Sequence, residues 1–248
     1  MLPVLLQIGG INLYTFGFFL GIGFFFTSFL VWRRLKQLGL KEEEVIDGII
    51  FSSFLGIIFS RLIFILEHFS FYKFSFRYWV LIFRYPGFSL LGGLIGIFLG
   101  TFLFCRWKKW DFWRVVDEVI FGLFPILIFS HVGAFFDGSG AGKPTTLPWG
   151  VFFPESLVRQ HPVSLYSALF FLFLWIFFLK IENHWRFWSW YPSQAPGFIF
   201  LIFLIFSGIF NLGVAFLKDI EVYSLIGEVL ANLLIVIFSG GILWKKRK

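Results

Sequence analysis

The sequence predicts an all-α polytopic membrane protein with seven transmembrane helices, its N-terminus outside and its C-terminus in the cytoplasm. Of the 248 residues, 58% are hydrophobic and only 14% are charged, and the mean hydropathy is +0.86. A soluble domain is nearer half apolar and about a quarter charged. Seven apolar runs and a one-sided distribution of basic residues complete the evidence. We interpret residues 1–248 as a single integral membrane domain that carries a polar insert at 130–162.

The apolar runs set the number of spans, because a helix needs about 20 apolar residues to cross a bilayer. The third, fourth and fifth runs are the shortest. In chain order the runs are residues 12–32, 46–66, 89–105, 115–131, 163–179, 197–217 and 222–244.

The lysines and arginines predict the orientation, because they concentrate in cytoplasmic loops. Fourteen of the 21 follow the odd-numbered runs: Arg33, Arg34, Lys36, Lys41, Arg106, Lys108, Lys109, Arg114, Lys180, Arg186, Lys245, Lys246, Arg247 and Lys248. The net charge of +7 is therefore a topology signal with some attraction for anionic lipid. We expect no nucleic-acid partner, because no extramembrane segment is large enough to carry a basic stripe.

The longer segments are expected outside. Residues 68–88 are rich in Tyr, Trp and Phe, which suits a membrane interface. The insert is rich in helix-breaking glycine and proline, and it carries the basic residues Lys143, Arg159 and His161. We therefore expect the protein to work at the outer face.

Polar side chains inside spans are costly and usually functional or paired. Counting about 1.5 Å per residue places Arg61, Asn211 and Glu228 roughly 8–9 Å from the outer ends of their runs. His131 ends the fourth run and Ser89 begins the third at the same face. Two interpretations remain: structural pairing, for example of Glu228 with Arg61, or a polar cavity open to the outer leaflet.

Three sequence elements lie beside these positions. S-L-L-G-G-L-I-G begins at Ser89 and is by itself more typical of close helix packing through Gly92 and Gly93 than of headgroup binding. The second element, S-H-V-G-A-F-F-D-G-S-G-A-G-K-P, begins at Ser130. The third, H-P-V-S-L-Y, runs from His161 to Tyr166, and a plain structural role as a helix start is also open to it.

With Arg61 in the second span, these elements resemble, in order and spacing, the bacterial prolipoprotein diacylglyceryl transferase family over roughly residues 10–240. The resemblance implies transfer of diacylglyceryl from phosphatidylglycerol to the lipobox cysteine of prolipoproteins, in the bacterial cytoplasmic membrane. It implies phosphatidylglycerol, membrane lipid and the prolipoprotein signal segment as partners. On this reading His131 and His161 are candidate catalytic bases. Headgroup-binding candidates are Arg61, Ser89, Gly92, Gly93, Lys143 and Tyr166, and a supporting polar cluster comprises Asp137, Asn211 and Glu228.

The chain departs from the family pattern at several polar positions. The signature arginine is replaced by His131, its asparagines by Ala134 and Asp137, and its glutamate by Ser139. The family's histidine is Leu91, and the sixth-span arginine and glutamate are Asn211 and Ala215. Two hypotheses follow: an active transferase with rearranged groups, or an inactive relative that binds phospholipid or signal segments at the outer leaflet.

A small-solute transporter is a weaker hypothesis, because it predicts polar groups along both leaflets. We expect no cofactor, and no metal, because the single Cys105 excludes C-x-x-C spacing.

Overall fold

The computed structural model describes residues 2–8, 11–69, 87–154, 156–182 and 195–246. Most of the aromatic segment 68–88 lies outside these ranges. So do three of the fourteen basic residues that predict the orientation: Arg186, Arg247 and Lys248.

Seven described helices are long and apolar enough to cross a membrane, as the sequence predicts. In chain order they are α1 Thr15–Gln37, α2 Glu42–Glu67, α3 Leu90–Lys108, α4 Phe112–Asp137, α5 Val163–Ile181, α6 Phe198–Ala215 and α7 Val222–Lys246. Each matches one apolar run to within six residues at either end.

Two small sheets accompany the helices. A hairpin of β1 Val4–Ile8 and β2 Ile11–Tyr14 precedes α1. The insert between α4 and α5 forms a three-stranded antiparallel sheet in the order β3-β5-β4, from β3 Ala141–Pro144, β4 Val151–Phe152 and β5 Arg159–Pro162.

The described chain separates into two compact units. One comprises Met1–Leu30 and Asp117–Lys248, and the other Val31–Val116. We call these the insert unit and the hairpin unit, because the second consists largely of the helical hairpin α2–α3.

Close helix packing through small residues holds the hairpin unit together. A Cβ added at Gly92, Gly96 or Gly100 would lie 2.5, 2.4 or 2.7 Å from α2 backbone atoms of Phe59, Leu55 or Ser52. These glycines are spaced four residues apart, so they form one face of α3 along which the two backbones approach each other.

The insert unit has an aromatic core. Phe124 of α4 is fully buried and packs against Trp175 and Phe178 of α5 and Phe203 of α6. Pro125 interrupts the α4 hydrogen-bond ladder, and the amide of Ile126 donates instead to the Thr27 hydroxyl at 3.0 Å. In a membrane such substitute partners are needed, because no water reaches a freed backbone group.

Asp117 of α4 fixes the start of α6. Its two carboxylate oxygens accept hydrogen bonds from the amides of Gly197 at 2.7 Å and Phe200 at 2.8 Å. The first amides of a helix have no partner within it, and a carboxylate there also interacts favourably with the helix dipole.

Candidate functional site

His161 belongs to a hydrogen-bonded chain of three side chains in the insert unit. It lies in β5, immediately before α5, and Tyr166 follows one turn into that helix. The His161 Nδ1 atom is 3.2 Å from the Tyr166 hydroxyl, which also accepts a hydrogen bond from Trp149 Nε1 at 3.0 Å. The turn of sequence H-P-V-S-L-Y thus brings two of the predicted site residues into direct contact.

A bulge in β3 places Gly142 and Lys143 opposite His161. The flanking pairs are Ala141 with Pro162 and Pro144 with Gln160, so two residues of β3 face one of β5. Bulges of this kind re-aim side chains and are common beside active sites.

Gly142 is buried where three segments meet. A Cβ there would lie 2.5 Å from the Leu217 carbonyl oxygen, 2.6 Å from Val163 Cγ2 and 3.1 Å from His161 Cβ. The next residue, Lys143, donates its amide to the Leu217 carbonyl at 2.8 Å. The backbone is therefore anchored, while the Lys143 side chain is exposed and has no ion-pair partner among the described residues.

Glu228 is paired within the insert unit. Both of its carboxylate oxygens accept hydrogen bonds from Lys218 Nζ, at 3.0 and 2.8 Å. Lys218 also forms a backbone bridge to Gly142. Structural pairing, one of the two interpretations of the sequence, thus holds for Glu228, with Lys218 as its partner in place of the suggested Arg61.

His131 lies inside α4, so the expectation that it ends the fourth helix is wrong. The helix continues for six more residues to Asp137, and Gly138, at φ 93°, ends it in the left-handed conformation that suits glycine. The His131 ring stacks on Phe171 of α5, with centroids 5.6 Å apart. Asp137 accepts a hydrogen bond from the Ser139 amide at 2.7 Å, which shapes the turn into the sheet.

In the hairpin unit, Arg61 of α2 binds the backbone just before α3, and Ser89 binds the last residue of α2. Arg61 is 3% exposed, and its Nη1 donates to the Gly87 carbonyl at 2.8 Å. Ser89 begins α3, accepts a hydrogen bond from the Gly92 amide and donates to Glu67 Oε1 at 3.1 Å. The Ser60 hydroxyl donates to the Ser89 carbonyl at 2.7 Å.

The two glycines beside Ser89 differ in their surroundings. Gly92 faces the α2 backbone, whereas the nearest atom to a Cβ at Gly93 would be Ser60 Cβ at 3.8 Å, an ordinary contact. The packing interpretation therefore describes Gly92, and Gly93 has room that packing does not use.

Asn211 lies half-buried on α6, next to Phe210, which stacks on Phe170 of α5 at 3.9 Å. The predicted site residues thus divide between the two units. The hairpin unit contains Arg61, Ser89, Gly92 and Gly93, and the insert unit contains His131, Asp137, Lys143, His161, Tyr166, Asn211 and Glu228.

Three contacting residues escaped the sequence reasoning: Trp149, Lys218 and Glu67. Trp149 had a usable signal, because a tryptophan in a short Gly- and Pro-rich segment is unusual. Lys218 lies in the six-residue connection between α6 and α7, ten residues before Glu228, and no helical periodicity predicts their pairing.

Over nearly its whole length, the chain is similar to known proteins of one family. The family model of prolipoprotein diacylglyceryl transferase matches residues 3–244. A phosphatidylglycerol–prolipoprotein diacylglyceryl transferase of Clostridium tetani is 29% identical over 88% of this chain and 86% of its own length. The protein of the same name from Actinobacillus pleuropneumoniae serotype 3 is 30% identical over 88% of this chain and 81% of its own length. The one from Pasteurella multocida is 30% identical over 70% of this chain and 67% of its own length.

The match includes the insert and all seven helices, apart from the last two residues of α7. The resemblance read from the motifs is confirmed at the level of the family. The chain belongs to the prolipoprotein diacylglyceryl transferases, multi-pass proteins of the bacterial cytoplasmic membrane that act in lipoprotein biosynthesis.

Proposed function

We propose that the protein transfers the diacylglyceryl group of phosphatidylglycerol to the cysteine thiol of a prolipoprotein signal segment. A sulfur–carbon bond forms at the glycerol carbon that carries the phosphate. The carbon–oxygen bond to that phosphate breaks, and its electrons leave on glycerol phosphate. The thiol proton passes to a base, because the thiolate is the nucleophile.

The observation that carries this proposal is the β3 bulge. The leaving phosphate needs cations or hydrogen-bond donors held in place before reaction. Lys143 and His161 occupy opposed positions on β3 and β5, and the close approach at Gly142 holds the two strands together. The backbone amide of Lys143 is already used, so its ammonium group is the part left for an anion.

The remaining roles follow from the family resemblance and the local geometry. Within the hairpin unit, the family resemblance assigns headgroup binding to Arg61, a buried cation, and to Ser89 and Gly93 at the start of α3. His131 or His161 takes the thiol proton, since an imidazole nitrogen with a free lone pair can act as a general base. Asp137, Asn211 and Glu228 keep the supporting role that the resemblance implies for them.

We place this site at the outer leaflet, with the N-terminus outside and the C-terminus in the cytoplasm. The support is the excess of basic residues after the odd-numbered helices. A Cys105→Ser background removes the single cysteine, so one new cysteine at exposed Thr146 reports on sidedness. A membrane-impermeant maleimide added to intact cells should label Thr146→Cys. Labelling that requires broken cells would reverse the orientation.

The activity is tested with purified protein, phosphatidylglycerol and a lipobox peptide, by mass spectrometry for a diacylglyceryl thioether on the cysteine. Lys143→Gln should raise KM for phosphatidylglycerol about tenfold or more, because it removes a charge-assisted hydrogen bond. Lys143→Arg should retain most activity, and Lys41→Gln, an exposed lysine between α1 and α2, is the matched control.

A second outcome distinguishes the alternative function. If phosphatidylglycerol binds but no thioether forms, the protein is an inactive relative that holds phospholipid or signal segments. That result would overturn the proposal.

A further inference from the structure

In the three-residue chain of the insert, chemistry fixes the direction of the hydrogen bond between Trp149 and Tyr166. Trp149 Nε1 and His161 Nδ1 both contact the Tyr166 hydroxyl, at 3.0 and 3.2 Å. An indole nitrogen can only donate, so Tyr166 is the acceptor in its bond with Trp149. The direction of the second bond then decides which nitrogen of His161 carries the proton.

If His161 Nδ1 donated, the phenol oxygen would accept twice, and its own hydrogen would have no acceptor among the described residues. If Tyr166 donates, each of the three groups has a partner. The tautomer of a histidine follows from the hydrogen bond that its other nitrogen makes.

We infer that Trp149, acting through Tyr166, holds neutral His161 in the tautomer protonated at Nε2, so that His161 is a hydrogen-bond donor to the phosphate of a phospholipid headgroup. The phosphate contact rests on the proposed function. Within the described residues Nε2 has no hydrogen-bond partner, and Lys143 lies across the sheet to supply the positive charge.

This inference separates the two histidines. A ring that accepts at Nδ1 and donates at Nε2 has no free lone pair for a thiol proton. His161 is therefore a phosphate-binding residue and Trp149 is a positioning residue, so of the two histidines only His131 remains a candidate base.

The tautomer can be measured directly. The chain has four histidines, so ¹⁵N-histidine labelling gives a simple spectrum, and the His161 signals are those lost in His161→Gln. Wild-type protein in a phosphate-free maltoside detergent should show a pyridine-like Nδ1 and a pyrrole-like Nε2. A pyrrole-like Nδ1 would overturn the inference.

Two variants test the chain itself. Trp149→Phe keeps the ring but removes the donor, so it should mix the two tautomers of His161, and Tyr166→Phe should do so more strongly. Trp107→Phe, at an exposed position in α3, is the matched control and should leave both nitrogen signals unchanged. Unchanged signals in Trp149→Phe would assign the tautomer to some other cause.

Phosphatidylglycerol added to the same micelles tests the phosphate contact. The Nε2 signal should shift with lipid concentration, and no shift would exclude His161 as the donor. In the transfer assay, His161→Asn should lower kcat/KM about tenfold or more, while His161→Gln, whose amide reaches the Nε2 position, should recover part of it. A lipid-dependent Nε2 shift without any thioether would refute the proposed function and leave this inference standing.

Discussion

Gly92 and Gly93 are sequence neighbours with opposite surroundings, so alanine at each should have a different effect. A Cβ at Gly92 would lie 2.5 Å from the Phe59 carbonyl oxygen and 2.9 Å from Ser60 Cα, both α2 backbone atoms. At Gly93 the nearest atom would be 3.8 Å away. Only Gly92→Ala must push the two helices apart.

The size of the effect follows from these distances. Ordinary contact begins at 3.4 Å, so α2 must move by about 0.9 Å near Phe59 to admit the methyl group. Overpacking of this kind costs about 1–3 kcal/mol. Both variants also gain up to ~1 kcal/mol from the higher helix propensity of alanine. This gain cancels when they are compared, so Gly92→Ala should be less stable than Gly93→Ala by about 1–3 kcal/mol.

Thermal unfolding in detergent measures this difference. For a chain of this size, 1 kcal/mol corresponds to roughly 2–4 °C, so the two Tm values should differ by about 2–12 °C. Transfer activity completes the test: if Gly93 lines the headgroup site, Gly93→Ala should lower activity without lowering Tm. Equal Tm values for the two variants would refute the close packing of α2 and α3 at Gly92.

Three further predictions concern the insert unit. Gly142→Ala should lower kcat/KM for phosphatidylglycerol at least tenfold, because it separates β3 from Leu217, whereas Gly213→Ala, with no atom within 4 Å, should be silent. A double-mutant cycle on Lys218 and Glu228, measured by Tm, should give a coupling of about 0.2–1 kcal/mol, because both side chains are about a third exposed; zero coupling would make the contact incidental. Asp117→Asn should lower the unfolding free energy by about 1–3 kcal/mol by weakening two charge-assisted hydrogen bonds, and an unchanged Tm would contradict its role in starting α6.

The sequence predicted the helices well because the bilayer imposes one dominant requirement. A run of about 20 apolar residues must be helical there, since every backbone group needs an internal partner. The error at His131 has the same origin. The apolar count falls at Ser130, but nothing stops a helix before Gly138, and α4 continues to Asp137. Hydropathy therefore predicts which residues lie in the membrane, whereas residues such as glycine in the left-handed conformation determine where the helix ends.

The partners of the polar residues were harder to predict. Counting residues gives the depth of a side chain in the membrane, but it does not give the side of the helix from which that side chain projects. Arg61 and Glu228 were placed at similar depths, and nothing in the sequence chose between pairing them and pairing each elsewhere. Glu228 binds Lys218, ten residues earlier, across the connection between α6 and α7. The strands of the insert were also missed, because runs of two to four residues are too short to show alternation.

The geometry of the insert explains why its glycines matter as much as its charged side chains. Backbone hydrogen bonds hold the insert in place. The Gly140 amide donates to the Ala134 carbonyl, and the Ser164 amide donates to the Gly140 carbonyl. The Lys143 amide donates to the Leu217 carbonyl. The backbone of Lys143 is held without help from its side chain, so its ammonium group remains available for a ligand. Such anchoring works only where backbones come close, as they do at Gly142. A substitution that separates the backbones at Gly142 would therefore disable the site, although every candidate side chain would still be present.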